Sequence, residues 1–299
     1  MKRGAFMAKR NKMSRRKKTI IFSVIFAVLL TGAIISAWQF FSILHMYREI
    51  DEVNDGLTSD YTRPGQSITV NIPRRPQVSV RFREVDFEGL WETNRRVVGW
   101  LQLPGTPIDN AVVQHEYCND RYLHRLIDGR RNNAGTLFVD FRNEPNFGDR
   151  NTIIYGHNMR NLSMFGILYR YRQQEFADQH PHLLWVSPNG NTYVIMVFAT
   201  YNIVALNSQG DPQESWDRNF ADDDAFMAWI DRRIALSDIT TDIEVQPTDR
   251  IVTLSTCVRG SASRRQLVYG VLVQVDSTGA VVSDYAADES TANEYETDE

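Results

Sequence analysis

The sequence predicts a mostly β domain, closed into a barrel with a few helices and preceded by one N-terminal transmembrane helix. Three observations support this class. Many short runs rich in Val, Ile, Tyr and Phe are separated by Gly, Pro and Asn, which is typical of strands and turns. Only two or three segments have helical spacing of their apolar residues. One long apolar run lies near the N-terminus.

Length and composition limit the class of protein. The chain has 299 residues, of which 42% are apolar and 23% charged, so collagen-like, mucin-like and wholly disordered chains are excluded. The net charge of −4 combines a basic N-terminus with an acidic C-terminus. There is no broad basic surface, so we expect no nucleic-acid partner. The only two cysteines, Cys118 and Cys257, exclude a disulfide-stapled scaffold and a Cys-rich zinc site, and we expect no cofactor or metal.

The N-terminus is predicted to anchor the chain in a membrane. Residues 1–18 carry nine bases and no acid, and the run from Thr19 to Trp38 has no charge. A helix needs about 20 such residues to cross the hydrocarbon core, whereas a cleaved signal peptide has an apolar core of about 7–15 residues. We expect a cytoplasmic basic segment over 1–18 and a transmembrane anchor over 19–41. The positive-inside rule then predicts that all later residues are extracellular.

The outer part divides into three segments by composition. Residues 42–84 begin with a short helical stretch and then become rich in Pro, Gly and Ser, which predicts an extended connector. Residues 85–285 have the composition of a compact domain. Residues 286–299 are acidic and poor in large apolar side chains, which predicts a disordered tail.

The elements of the domain follow in chain order. Residues 86–101 predict a helix leading into a strand, and Pro104-Gly105 predicts a turn. The runs AVVQ, AGTLFVDF and NTIIYG predict short strands, and residues 164–180 predict a helix. HLLWVS and NTYVIMVFATYNIV flank Pro-Asn-Gly, a hairpin signal. Residues 221–236 form an amphipathic pattern with an acidic start, which favours a helix, and RIVTLSTC and RQLVYGVLVQV predict the last two strands.

Cys257 is the candidate nucleophile because it ends the predicted strand RIVTLSTC. A buried structural thiol and a disulfide with Cys118 are the alternatives. A thiol must become a thiolate to attack a carbonyl, and a nearby His or Arg favours that form. Ser255, on the same face by alternation, and the adjoining Thr256 are candidates for shaping a pocket or for packing.

His157 and Arg265 are the candidate partners of this thiol. His157 follows a strand and Gly156, which places it on a loop rim, whereas the other five histidines have no such placement. A structural histidine with satisfied hydrogen bonds is the alternative. Arg265 opens the strand that returns beside Cys257, where a guanidinium can bond an oxyanion. Arg264 belongs to the opposite face by alternation, and Arg259 lies in the loop between the strands. A solvated loop charge is the alternative for all three arginines.

These residues resemble the sortases, and class B sortases in particular. The resemblance lies in YGHNM at 155–159 and in TLSTC at 253–257 with an Arg eight residues later. It extends to VVGWLQLPGTPIDNAVVQ (97–114), NAGTLFVDFRN (133–143), MFGILYRYRQQEFADQHPHLLW (164–185) and the helical insertion near 217–237, so that it covers about residues 90–276. Some class members carry an acid just after the Cys, where this chain has Val258 and Arg259.

The resemblance implies a sortase β-barrel with a catalytic His157, Cys257 and Arg265, a single N-terminal anchor in a Gram-positive envelope, and no calcium site. It implies a thiol peptidase that cleaves a C-terminal sorting signal of secreted proteins. The acyl group would pass through a thioacyl-enzyme to a peptidoglycan precursor or a pilin Lys, which anchors the surface protein. The membrane segment, found independently, agrees with this.

Two alternatives remain. Cys257-Val258-Arg259 also resembles the motif of the L,D-transpeptidases that crosslink peptidoglycan, but in that family the His lies much nearer to the Cys. A non-enzymatic membrane-anchored scaffold with an inert thiol is the other. A reactive thiol whose alkylation abolishes transfer would separate either enzyme from the scaffold.

Overall fold

The computed structural model describes residues 14–204, 216–258, 260–261 and 263–282. Contacts within the chain define two compact units, Met1–Glu49 and Ile50–Glu299. The acidic tail predicted over 286–299 and most of the basic segment over 1–18 lie outside the described residues, as does Arg259.

The first helix, α1, runs from Arg15 to Tyr61 and is longer than the predicted anchor over 19–41. Its first part is long and apolar enough to cross a membrane by length and composition. Large apolar side chains there, such as Phe22, Leu29 and Trp38, are exposed. Farther along, Ile50 and Leu57 are buried, so the end of α1 contributes to the core of the second unit.

The segment expected to be an extended connector is instead folded. Strands β1 (Thr62–Val70) and β2 (Val78–Val85) pair in an antiparallel two-stranded sheet. Residues 78–82 alternate between buried and exposed, because apolar and polar residues alternate there with the two-residue period of a strand. Arg75 pairs with Asp249 and Arg83 with Asp109, and these ion pairs join the hairpin to the barrel. The helical start predicted for residues 42–84 agrees with α1, which continues to Tyr61, whereas the unpaired connector predicted after it is wrong.

Eight strands form a closed barrel, which confirms the predicted fold class. They are β3 (Val97–Gln102), β4 (Asp109–Gln114), β5 (Leu137–Val139), β6 (Asn151–Tyr155), β7 (His182–Val186), β8 (Thr192–Val204), β9 (Arg250–Cys257) and β10 (Arg264–Val275). Their spatial order is β10-β8-β7-β3-β4-β5-β6-β9. Two neighbouring pairs, β4 with β5 and β6 with β9, are parallel, and the others are antiparallel. Closure gives each of the eight described strands a neighbour on both sides.

Two helices agree with their predictions. Helix α2 (Phe87–Thr93) begins at Asp86, whose carboxylate caps the Gly89 N–H at 3.0 Å. Helix α4 (Asp223–Leu236) begins in the same way at Asp222, and its acidic first turn suits the helix dipole. In α4, Trp229 packs edge-on against Tyr269 of β10.

The single helix predicted over 164–180 is divided. A 3₁₀ segment, Leu168–Arg172, precedes the short helix α3 (Gln174–Gln179), and Gln173 between them has extended backbone angles. Leu168 and Tyr171 are both buried, and their spacing of three residues matches the period of a 3₁₀ helix. The hydroxyl of Tyr171 also donates to the His180 carbonyl at 2.7 Å, which holds this turn against the end of α3.

Candidate active site

Cys257 is the last residue of β9 and is half-buried. Strand β9 lies between β6 and β10 in the barrel, so the residues that precede the thiol, from Ile251 to Thr256, are buried. The hydroxyl oxygens of Ser255 and Thr256 are buried without a hydrogen-bond partner. The barrel thus fixes the backbone up to Cys257 and releases it into a loop immediately afterwards.

Arg265 lies directly opposite Cys257 in the antiparallel register of β9 and β10. The hairpin formed by β9 and β10 is closed by the Val258 N–H, which donates to the Arg264 carbonyl at 2.9 Å. Arg265 is half-buried, and its Nη1 donates to the same carbonyl at 3.1 Å, whereas the Arg264 side chain is exposed. The difference in burial agrees with the alternation expected from the sequence.

His157 reaches the same end of the barrel through β6. This strand is parallel to β9, with Tyr155 opposite Ser255, and the Gly156 N–H donates to the Ser255 carbonyl at 3.2 Å. A Cβ atom at Gly156 would lie 2.4 Å from Leu137 and 2.7 Å from Phe165, so a larger residue would force these side chains to move. The chain therefore delivers His157 beside the nucleophile strand.

Asn158 connects the loop that bears His157 to Cys257, and the sequence does not predict this contact. Its Nδ2 donates to the Cys257 carbonyl at 2.8 Å. On the other side, Asn158 forms a β-bridge with Met164, and the Phe165 N–H donates to the His157 carbonyl at 3.0 Å. Asn158, which follows His157 in the chain, is thus hydrogen-bonded to Cys257.

A second missed feature is the segment Leu123-His124, which contacts the imidazole. Nε2 of His157 lies 2.6 Å from the Leu123 carbonyl, so this nitrogen carries the proton and donates. The His124 ring stacks on His157, with centroids 5.4 Å apart and planes inclined at 27°. These contacts span more than 30 residues of sequence, and no motif in the chain signals them.

Burial lowers the pKa of His157 below its ordinary value. The Leu123 carbonyl opposes this effect by accepting from the protonated ring, while the charges of His124 and Arg265 lower the pKa further. The imidazole is therefore poised to give up a proton readily. A thiol, an imidazole and a guanidinium at one barrel end can together perform nucleophilic acyl transfer.

The second cysteine lies apart from these contacts. Both cysteines are free thiols, and the Cys118 sulfur lies 3.5 Å from Nδ1 of His115. In the described ranges, no group of three or more His, Cys, Asp and Glu side chains is placed to hold a metal ion.

The chain matches no family model, but it is similar to known proteins over most of its length. It is 30% identical to Sortase B of Listeria monocytogenes over 248 residues, which are 82% of this chain and 94% of the relative. It is 31% identical to Sortase B of Staphylococcus aureus over 192 residues, 63% of this chain and 75% of that one.

Solved structures give the same result. The crystal structure of sortase B from Bacillus anthracis in complex with AAEK1 matches with a TM-score of 0.63 and 29% identity, over 77% of this chain and 99% of that one. The Staphylococcus aureus sortase B–substrate complex matches with a TM-score of 0.58 and 31% identity, over 64% and 85% of the two chains. With a barrel of the same architecture, these similarities show that the chain belongs to the class B sortases and is a sortase-type transpeptidase.

Proposed function

We propose that this protein is a membrane-anchored cysteine transpeptidase that attaches secreted proteins to an amine of the cell envelope. One observation carries the proposal. Cys257 and Arg265 face each other across β9 and β10, and the loop that bears His157 is bonded to the Cys257 carbonyl. A nucleophile, a proton carrier and an oxyanion donor are the three groups that acyl transfer requires.

In the first step, the Cys257 thiolate attacks the carbonyl carbon before the scissile peptide bond of a C-terminal sorting signal. Arg265 donates hydrogen bonds to the oxyanion that develops. His157 protonates the leaving amine as the C–N bond breaks, and a thioester to Cys257 remains. In the second step, an incoming amine attacks the thioester and His157 accepts its proton, so a new amide forms and the thiol is released. The thioester conserves the acyl bond, so no nucleotide is consumed.

The proposal also covers the substrates of the enzyme and its location in the cell. A relative from Staphylococcus aureus has been solved as a substrate complex, which supports binding of a substrate by this barrel. The acceptor is a peptidoglycan precursor or a pilin Lys amine. The exposed apolar side chains of α1 support a membrane anchor over 19–41, with residues 1–18 in the cytoplasm and the catalytic domain outside the cell.

The test is the fate of the thiol in the full chain. A peptide that copies the C-terminal signal of a protein encoded beside this one is incubated with the enzyme and an amine acceptor. Cys257→Ala should abolish both cleavage and transfer, while intact-mass measurement of the wild type should detect the acyl adduct. Cys118→Ser is the matched control and should keep most of the activity. Turnover by Cys257→Ala, or an adduct on Cys118, would overturn the assignment.

A further inference from the structure

The loop between β4 and β5 is built to carry Leu123 and His124 onto the catalytic imidazole. The Thr136 N–H donates to the Tyr122 carbonyl at 3.0 Å, and the Asn132 N–H donates to the His124 carbonyl at 3.2 Å. Gly135, with φ of +62°, leaves room for this segment, because a Cβ there would lie 2.6 Å from the Leu123 carbonyl oxygen. Hydrogen bonds from residues 132–136 thus fix the backbone of residues 122–124 at Tyr122 and at His124.

His124 uses this placement differently from its neighbour. The Leu123 carbonyl meets the edge of the His157 ring at Nε2, whereas the His124 ring covers its face. The edge contact fixes one nitrogen, and the stack restrains rotation of the ring about its bond to the chain. The His124 side chain is exposed, so its imidazole contributes little to the core.

The charges around His157 give the stack a second consequence. Arg265 from β10 and His124 from the β4–β5 loop both act on the imidazole as cations, and Cys257 lies on the neighbouring strand. Two protonated rings stacked face to face repel each other, so a proton on one disfavours a proton on the other. A positive charge on His124 therefore disfavours a positive charge on His157 and lowers its pKa.

We propose that His124 is a positioning residue for the transpeptidation, in which its imidazole stacks on His157 and holds that ring against the Leu123 carbonyl. This inference rests on the proposed function, since it gives His157 the role of proton carrier. It assigns to His124 no contact with the reacting atoms.

Two substitutions separate the stack from the charge. His124→Phe keeps an aromatic face but removes the charge, and His124→Ala removes both. His115→Asn, in the same loop, is the matched control, because an Asn can still accept from the Tyr117 N–H as His115 does. Each full-length variant is measured in detergent micelles with ¹³C-labelled histidine, and the His157 signal is identified by its loss in His157→Gln.

The His157 pKa should rise in both His124 variants, and the limb of the kcat/KM–pH profile that His157 governs should move to higher pH with it. At the pH optimum, His124→Phe should stay close to the wild-type kcat, while His124→Ala should lose roughly 10- to 100-fold, as misplaced catalytic groups do. His115→Asn should change neither quantity.

The proposal is overturned if His157 titrates alike in wild type and both His124 variants, or if His124→Phe loses as much activity as His124→Ala. Equal effects from His115→Asn would also overturn it. The titration of His157 needs no turnover. Its result therefore stands apart from the Cys257→Ala test, which decides the proposed function itself.

Discussion

Arg265 and Arg264 are neighbours in sequence with opposite surroundings, which makes them a sharp test of the oxyanion role. Arg265→Ala should lower kcat by on the order of 10²–10³, as loss of one oxyanion donor does. Arg265→Lys should restore little, because a point charge does not replace a planar fork of donors. Arg264→Ala serves as the control and should cost about tenfold or less. Steady-state kinetics on one peptide measure all three, and a crippled Arg264→Ala with a near-normal Arg265→Ala would contradict the register.

His182, at the start of β7, should make the fold sensitive to acid. Burial and the charge of His180 hold its pKa at about 4, below the ordinary 6.5, and its Nδ1 has no hydrogen-bond partner. As pH falls from about 6.5 towards 4, the unfolded chain takes up the proton first, so the free energy of unfolding falls in this window. The free energy of unfolding is fully retained at pH values above the pKa that His182 has in the unfolded chain.

Denaturant unfolding at pH 7 and pH 4.5 measures this effect. The wild type should lose more free energy of unfolding between the two pH values than His182→Gln, which has no such proton to take up. His157 also has a lowered pKa, so the variant should keep part of the acid sensitivity. Equal losses in both proteins would show that His182 titrates normally in the folded state.

At the level of elements, Asn158 connects the loop after β6 to the end of β9 by one hydrogen bond. Asn158→Ala should cost only about 1 kcal/mol of stability, since that is the typical net contribution of such a bond. The loss of kcat in this variant should be greater than the loss of stability explains, because His157 and Cys257 lose their fixed spacing.

Asn189→Ala is the matched control, because Asn189 accepts from the Asn191 N–H in the turn between β7 and β8. Thermal unfolding and kcat are measured for both variants. We expect similar shifts in Tm, with a loss of kcat confined to Asn158→Ala. Loss of kcat in proportion to the loss of stability in both variants would argue against a role for Asn158 in the site.

The elements also show how far the sequence predicts the structure. The barrel strands were predictable because short apolar runs rich in Val, Ile, Tyr and Phe are bounded by turn residues, and His157, Cys257 and Arg265 lie at strand ends in recognisable motifs. The sequence does not predict the β1–β2 hairpin, because Pro64, Gly65 and Pro73 are typical of a connector and only residues 78–82 alternate clearly. The contacts of Leu123, His124 and Asn158 depend on which strands are neighbours, and local pattern does not specify that.

For the molecule as a whole, the folded hairpin changes where the chain can be shortened. A chain that begins at residue 46 should keep its fold, because it retains the buried residues Ile50 and Leu57. A chain that begins at residue 86 loses in addition the five buried apolar side chains of the hairpin, Val70, Ile72, Val78, Val80 and Phe82. Each contributes about 1.5–3 kcal/mol, so their sum approaches the whole stability of a typical domain, about 5–15 kcal/mol.

Urea unfolding of the two shortened chains tests this. The longer one should unfold cooperatively with a free energy close to that of the full chain. The shorter one should be unfolded or aggregated without denaturant. Cooperative unfolding of the chain that begins at residue 86 would support the original domain boundary near residue 85.

The parallel pairing of β6 with β9 has a consequence for how the enzyme matures. His157 and Cys257 are separated by 100 positions, and a parallel pair cannot be closed by a local turn. Pairings between distant segments form slowly, because the entropy of closing the intervening loop must be overcome before any contact rewards it. The β7–β8 and β9–β10 hairpins can form early, whereas β6 and β9 meet only when the barrel closes. We therefore expect an emerging chain to catalyse no acyl transfer until its last folding step, when the imidazole of His157 is brought beside the thiol of Cys257.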